Sequence, residues 1–272
     1  MKKCQKSIHI LLVFLFSLFL AACQSQSEST KDNSLITVQK SGKLVVATET
    51  GFAPFAFKTL VDGKNTIVGS DVDMVKKIAE GLGVEVELKE MSFDNVLVAV
   101  QSGKADIGIS GISITKERQK NFEFSKGYYT AKTKIIIQKS DKDKVTSLTH
   151  LIDESVAAQK GSIQEMIVTD QIPEAHLVSL PETGEMVIEL KQGKVKAVML
   201  EEPIAKAYVE KNPDLTIADI ELAPVDADTY GIILPKGNKD LAEAINEQLE
   251  PMIASGEIDQ MIQDNYNLSV QE

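Results

Sequence analysis

Short apolar runs alternate with helix-periodic segments along this 272-residue chain, and the alternation is played through twice, which leaves few folds open. Leu44 to Ala47 reads as a buried strand, and Asp71 to Leu82 as a helix with Val72, Val75, Ile78, Ala79 and Leu82 inward. Val84, Val86 and Leu88 alternate with Glu85, Glu87 and Lys89 as a second strand. A helix over Phe93 to Ser102 and a strand over Ala105 to Ile109 complete the first series. The second series has strands over Thr133 to Gln138, Val156 to Ala158, Ala175 to Leu180 and Val195 to Leu200. Its helices are Ile163 to Asp170, Glu182 to Gln192 and Ile204 to Asn212. A strand from Tyr230 to Leu234 follows, then helices over Lys239 to Ala254 and Glu257 to Tyr266. Strand, helix and strand at these lengths make parallel β-α-β units. The fold class expected is α/β, one large domain or two smaller lobes, and in the two-lobed case each lobe is a mixed, mostly parallel sheet flanked by helices. The first lobe takes residues 43–128 and 230–272 and the second 133–225, with 129–132 and 226–229 as two hinge crossings.

The N-terminus narrows the compartment. Lys2, Lys3 and Lys6 precede a 13-residue apolar stretch, Ile8 to Leu20, and then Ala21-Ala22-Cys23. This is the layout of an export signal over 1–22, too short for a stable membrane-spanning helix. Residues 23–42 read as a flexible polar tether, with structure beginning near Lys43. Cys4 leaves with the signal, so a mature chain holds no thiol pair for a disulfide or a metal. The formal charge of -11 becomes -14 once three signal lysines are removed. Such an acidic balance excludes nucleic acid as a partner, because that partner selects basic faces. No metal or cofactor motif is present.

In open sheets of parallel strands, ligands sit beyond the carboxyl ends of the strands. The loops there are Thr48 to Phe55, Met91 to Phe93, Ser110 to Thr115, Gln159 to Ile163 and Leu200 to Pro203. Ser110-Gly111-Ile112-Ser113-Ile114-Thr115-Lys116-Glu117-Arg118 joins small residues, hydroxyls and one arginine within nine positions. A planar, permanently charged guanidinium with hydroxyls beside it suits a carboxylate, although a plain polar turn has the same composition. Gly161-Ser162 opens a helix, whose free amides and dipole favour an anion; a simple N-cap is the other use of that pair.

Six motifs in order carry a resemblance over Lys43 to Tyr266. They are Thr48-Glu49-Thr50-Gly51-Phe52-Ala53-Pro54-Phe55, Gly69-Ser70-Asp71-Val72-Asp73-Met74, the Ser110 to Arg118 stretch, Phe124-Ser125-Lys126-Gly127-Tyr128-Tyr129, Gln159-Lys160-Gly161-Ser162 and Glu201-Glu202-Pro203. The chain resembles the polar amino-acid group of extracytoplasmic solute-binding proteins, with their periplasmic-binding-protein-like fold, which feed ABC importers. Leu20-Ala21-Ala22-Cys23 resembles a bacterial lipobox and implies lipidation of Cys23, placing the protein on the outer face of the cell membrane, lipid-anchored. The resemblance implies that Arg118, helped by Ser113, grips the α-carboxylate of a free amino acid and that the carbonyl of Gly111 takes the α-ammonium. The N–H groups of Ser162 and Ile163 would face the carboxylate. Glu201 stands where the family usually has Asp, as partner of the α-ammonium, one methylene longer. Phe52 and Phe93 match two aromatic walls around the ligand side chain. Glu49 is either an anionic partner for the far end of that side chain or a solvated carboxylate, and Gln159 faces the same region. The ligand implied is a basic amino acid, arginine, lysine or histidine, with glutamine or another neutral polar residue as the alternative. The remaining partners are the membrane subunits of an ABC importer, and the protein is expected as a monomer without cofactor.

Some relatives of this family are secreted dehydratases, so an enzyme on the same scaffold is the main rival. His150 and His176 are the only histidines of the mature chain, neither in a strand-end loop, and no HExxH or Walker motif occurs. A receptor sensor domain is a third class, and no second membrane segment precedes Glu272.

Overall fold

A computed structural model describes residues 32–225 and 229–271. The signal over 1–22, Cys23, the first part of the tether and residues 226–228 of the second crossing lie outside the described residues. Two five-stranded sheets dominate. The first runs in the order Glu85–Glu90, Lys43–Thr48, Ile107–Gly108, Ile233–Pro235, Phe122–Phe124. The second runs His176–Leu180, Ser155–Gln159, Ala197–Glu201, Thr133–Gln138, Leu215–Ile217. In each, the first three strands are mutually parallel and the fourth joins antiparallel. The two sheets share one wiring, so this is a two-lobed α/β fold in which each lobe turns its strand ends toward a cleft.

Both faces of each sheet are covered, which is why the strands are apolar without alternation. In the first lobe Leu44 and Val46 pack with Met74, Val75 and Ile78 of the helix Ser70–Leu82. On the other face Ala47 meets Val96 and Val100 of the helix Phe93–Gln101. In the second lobe Val156, Ala158, Ile135 and Met199 pack with Ile163, Ile167 and Val168 of the helix Ile163–Gln171. Ala157, Val198 and Leu200 face Met186, Val187 and Leu190 of the helix Thr183–Lys191.

The lobes are joined where Tyr129–Thr130 pairs antiparallel with Thr229–Tyr230, a two-stranded ribbon between the sheets. A single strand over Tyr230 to Leu234 is therefore not formed. The chain leaves the ribbon at Tyr230 and re-enters the first sheet at Ile233, because one segment serves both the crossing and the lobe. The C-terminal helix Glu257–Val270 packs on Ser70–Leu82 of the first lobe and on Glu202–Lys211 of the second, where the Tyr266 hydroxyl donates to Glu210 Oε2 at 2.6 Å.

Two departures from the expected organisation have clear causes. Residues 34–41 of the expected tether form a helix, Ser34–Ser41, with Val38 2% exposed against the first lobe's core and Ser34 Oγ accepting the Leu241 N–H at 3.2 Å. One buried valine and a few partly buried neighbours dock this turn, a signal too sparse for periodicity to reveal. Strands Ala56–Val61 and Lys64–Val68 form a hairpin that was not anticipated. Its turn, Asp62-Gly63, has both residues at positive φ, 51° and 75°, a backbone twist that Asp-Gly accommodates.

The docked helix has a measurable consequence. Val38→Ala should lower unfolding free energy by about 1–2 kcal/mol in chemical denaturation, since two buried methyl groups are lost. A free tether at this position would leave the midpoint unchanged.

Candidate functional site

The cleft site is built from strand ends. Lys43–Thr48 delivers Glu49, Ile107–Gly108 delivers Ser110 to Ser113, Ser155–Gln159 ends on Gln159, and Ala197–Glu201 ends on Glu201. Phe52, Phe93, Ser110, Gly111, Ser113, Arg118, Gln159, Ser162, Ile163, Gln164 and Glu201 line one narrow cavity, with free room of about 10 Å³. Nine of the ten expected ligand-contacting residues are thus gathered in one place, and Glu49 adjoins them through Gln159, whose Nε2 donates to Glu49 Oε1 at 2.7 Å.

Arg118 is placed by local chemistry. Its N–H donates to Thr115 Oγ1 at 3.0 Å, which starts the short helix Arg118–Asn121 and aims the side chain back into the cleft. The guanidinium donates to the Ser113 carbonyl at 2.9 Å and, across the cleft, to the Gly161 carbonyl at 3.0 Å. It also lies 5.5 Å from the centre of the Phe93 ring, a cation–π distance. Phe93, expected as a wall for a ligand side chain, therefore supports Arg118 from below while its ring edges the cavity. Burial lowers the guanidinium to about 10, with Glu201 pulling the other way, so it remains charged at neutral pH.

Glu201 is 8% exposed, and burial raises its carboxyl to about 7 against the pull of its own backbone, the Gln164 amide and Arg118. Gln164 was missed in the sequence, since nothing but its place two residues after Ser162 marks it. Glu49 is 1% exposed, and burial pushes its carboxyl to about 8, with Glu182 and Glu201 adding to the rise and the Gln159 amide opposing it. Ser162 Oγ is buried without a hydrogen-bond partner. Arg118 acts on Glu201, and Glu201 on Glu49, while Arg118 is absent from the charges acting on Glu49.

One expected donor is otherwise employed. The Ser162 N–H donates to the Gln159 carbonyl at 3.0 Å, closing a tight turn, so Ser162 offers the cavity its hydroxyl rather than its amide. The helix Ile163–Gln171 begins immediately after, and its first N–H groups have no intrahelical acceptor. Gly111 adopts φ 59°, and a Cβ there would lie 2.5 Å from Phe52 Cε1, so the close approach of backbone and ring requires glycine. Phe52 stacks obliquely on Phe55 at 5.4 Å and is itself 3% exposed. Behind Gly111, Asp71 accepts from the Tyr128 hydroxyl at 3.2 Å, and the Gly111 N–H also steadies the Asp71 carboxylate. Asp71 and Tyr128 sat inside recognised motifs, but their partnership across 57 positions of chain is visible only in three dimensions.

Contacts across the cleft among the described residues include Gln159 to Glu49, Arg118 to Gly161, Lys160 to Asp94 at 2.8 Å, and Tyr208 to the Gly51 carbonyl at 3.2 Å. The lobes are in contact, and the site is enclosed by both. Among the described residues no group of acidic, histidine or cysteine side chains could hold a metal ion, and no helix is long and apolar enough to cross a membrane.

Residues 44–267 match the model of the bacterial extracellular solute-binding proteins, family 3. The structure is similar to that of an amino acid ABC transporter substrate-binding protein, AbpA, from Streptococcus pneumoniae bound to L-arginine. That similarity amounts to 49% identity and a TM-score of 0.84, covering 87% of this chain and 100% of the other. A second S. pneumoniae amino acid ABC transporter substrate-binding protein, also bound to L-arginine, is 41% identical with a TM-score of 0.83, covering 86% of this chain and 98% of that one. The arginine-binding extracellular protein ArtP of Bacillus subtilis is 29% identical over 94% of this chain and 96% of its own length.

The fit between Gly111 and Phe52 is testable without any ligand. Gly111→Ala should lower Tm by several degrees, because strain at positive φ costs about 1–3 kcal/mol before the clash with the ring is counted. An unchanged Tm in calorimetry would mean that the ring and loop are free to separate.

Proposed function

The chain belongs to the bacterial extracellular solute-binding proteins, family 3, as the substrate-binding subunit of an ABC amino-acid importer, and we propose that the amino acid it captures is basic, L-arginine ahead of lysine and histidine. Proteins of this family are transport-associated binding proteins, not enzymes, and they work outside the cytoplasm in association with the membrane.

The observation that carries the ligand reading is the buried carboxylate of Glu49, which meets the Gln159 amide and the Thr183 backbone N–H but no cation. Ionised, Arg118, Glu201 and Glu49 sum to one negative charge in a desolvated site. A basic amino acid brings one net positive charge and a partner for each group: carboxylate to Arg118, ammonium to Glu201, side-chain cation to Glu49. A neutral amino acid would meet Glu49 in the protonated form that burial favours and gain no ion pair from it, whereas a cation releases that proton and pairs with the carboxylate. Ser113, the Gly111 carbonyl, the Ser162 hydroxyl and the Ile163 N–H complete the shell around the α-carbon groups. Phe52 bounds the aliphatic stem, and Gln159 holds Glu49 in place.

Capture works by closure about the ribbon Tyr129–Thr130 and Thr229–Tyr230, with the two strands as hinge. The ligand favours the closed state because it touches both lobes at once. Cys23 in the Leu-Ala-Ala-Cys motif supports a lipid anchor, and the monomer docks on the importer's membrane subunits in its closed form.

Calorimetric titration with free amino acids tests the reading. Arginine should bind more tightly than glutamine, and Arg118→Ala should cost about 2–5 kcal/mol of binding energy, which is roughly 30-fold to several thousand-fold in Kd. Binding of glutamine with no response to arginine, lysine or histidine would overturn it.

The carboxyls also set a pH dependence for the unliganded protein. In the closed form Glu49 and Glu201 titrate at about 8 and about 7, above the ordinary 4.5 that they approach when opening admits water. The closed form therefore binds more protons than the open form between these limits. Closure has its full support below about 4.5 and loses it progressively as pH rises from there, the loss being complete above about 7 to 8. Small-angle scattering without ligand should show the radius of gyration increasing over this interval, whereas saturating arginine should keep it small throughout.

A further inference from the structure

We propose that Glu182 is a second specificity determinant: its carboxylate closes the far end of the cleft from the second lobe, opposite Glu49, so that a cationic ligand end stabilises the closed form and a neutral end of the same shape does not. The inference rests on the basic-ligand reading and deepens it. Glu182 follows the strand His176–Leu180 and caps the helix Thr183–Lys191, a strand-end position equivalent to those that supply Glu49 and Gln159.

Three observations converge on it. A methyl group placed on Gly51 would lie 3.6 Å from Glu49 Oε1 and 3.9 Å from Glu182 Oε2, so one carboxylate oxygen from each lobe borders the same point. The Tyr208 hydroxyl, which spans the cleft to the Gly51 carbonyl, is pushed to about 12 by burial and by these same two carboxylates. The Glu49 carboxylate there meets the Gln159 amide and the Thr183 backbone N–H but no cation, which leaves a demand for a cation between the two acids.

The surroundings of Glu182 do not satisfy that demand. Burial raises its carboxyl, and the neighbouring acids Glu185 on its own helix and Glu90 and Asp94 across the cleft raise it further, against the weaker pull of Lys58. Lys58 is itself paired with Glu90 at 2.7 Å, and Lys160 with Asp94 at 2.8 Å. Among the described residues no lysine or arginine lies within ion-pair distance of Glu182. Closing the lobes thus brings Glu182 toward Glu49 with no fixed cation between them. A guanidinium, planar and with several N–H donors, can face both oxygens at once, while a ureido or amide group has the shape without the charge.

The experiment compares L-arginine with L-citrulline, its near-isosteric neutral analogue, by calorimetry on wild type and Glu182→Gln at low and high salt. Wild type should prefer arginine. In Glu182→Gln the arginine Kd should weaken by about 5- to 20-fold while the citrulline Kd holds or improves, and the difference should shrink at high salt because Glu182 is half-exposed. An arginine-to-citrulline ratio unchanged in Glu182→Gln, or equal weakening of both ligands, overturns this inference alone and leaves Glu49 as the determinant. A wild type that prefers citrulline or glutamine overturns the basic-ligand reading, and this inference with it.

Discussion

Three ionisable side chains removed from water into one cleft set the terms for the rest of the molecule. Burial acts against the charged form of each, lowering Arg118 and raising Glu49 and Glu201. The protein offsets this with short-range contacts: two carbonyls and an aromatic face for Arg118, Gln164 for Glu201, Gln159 for Glu49. These leave Glu49 incompletely served. On the reading proposed above, a ligand with complementary charges would complete the arrangement, and recognition and closure would be one event rather than two.

The scaffold makes that coupling unavoidable. Each lobe ends its strands at the cleft, and the charged groups are divided between lobes, with Arg118 and Glu49 on one and Glu201 and Gln159 on the other. The lobes meet through a two-stranded ribbon and a C-terminal helix that touches both. The loop Gly111 to Ile114 is hydrogen-bonded to that ribbon, Ile114 N–H to the Thr229 carbonyl at 2.8 Å and Gly231 N–H to the Ile112 carbonyl at 3.0 Å. The backbone that would receive the ammonium is therefore continuous with the backbone that would bend.

Much of this was legible beforehand, for a definite reason. Strands buried on both faces leave apolar runs such as Thr133–Gln138, and helices with one apolar face leave a period, so the elements were placed to within a few residues. Strand ends are where ligands bind in such sheets, which directed attention to Glu49, Gly111, Arg118, Gln159 and Glu201. Phe93 was assigned to the right cavity with an incomplete role, because only the structure puts the guanidinium over its ring. The Ser162 N–H, expected to face a carboxylate, closes a tight turn onto the Gln159 carbonyl, a partner that only the folded loop supplies. Gln164 and Glu182 carry no local signal, and Asp71 and Tyr128, though each inside a motif, meet only through a contact across 57 positions of chain.

By itself the sequence determined the two α/β series, the family and the strand-end residues that the fold gathers at the cleft, because these depend on local periodicity and on motifs confined to single loops. The tertiary structure alone decided which charges are desolvated and which side chains meet across the cleft. Those properties depend on distances between lobes and on the exclusion of water, and neither is encoded in any one stretch of chain.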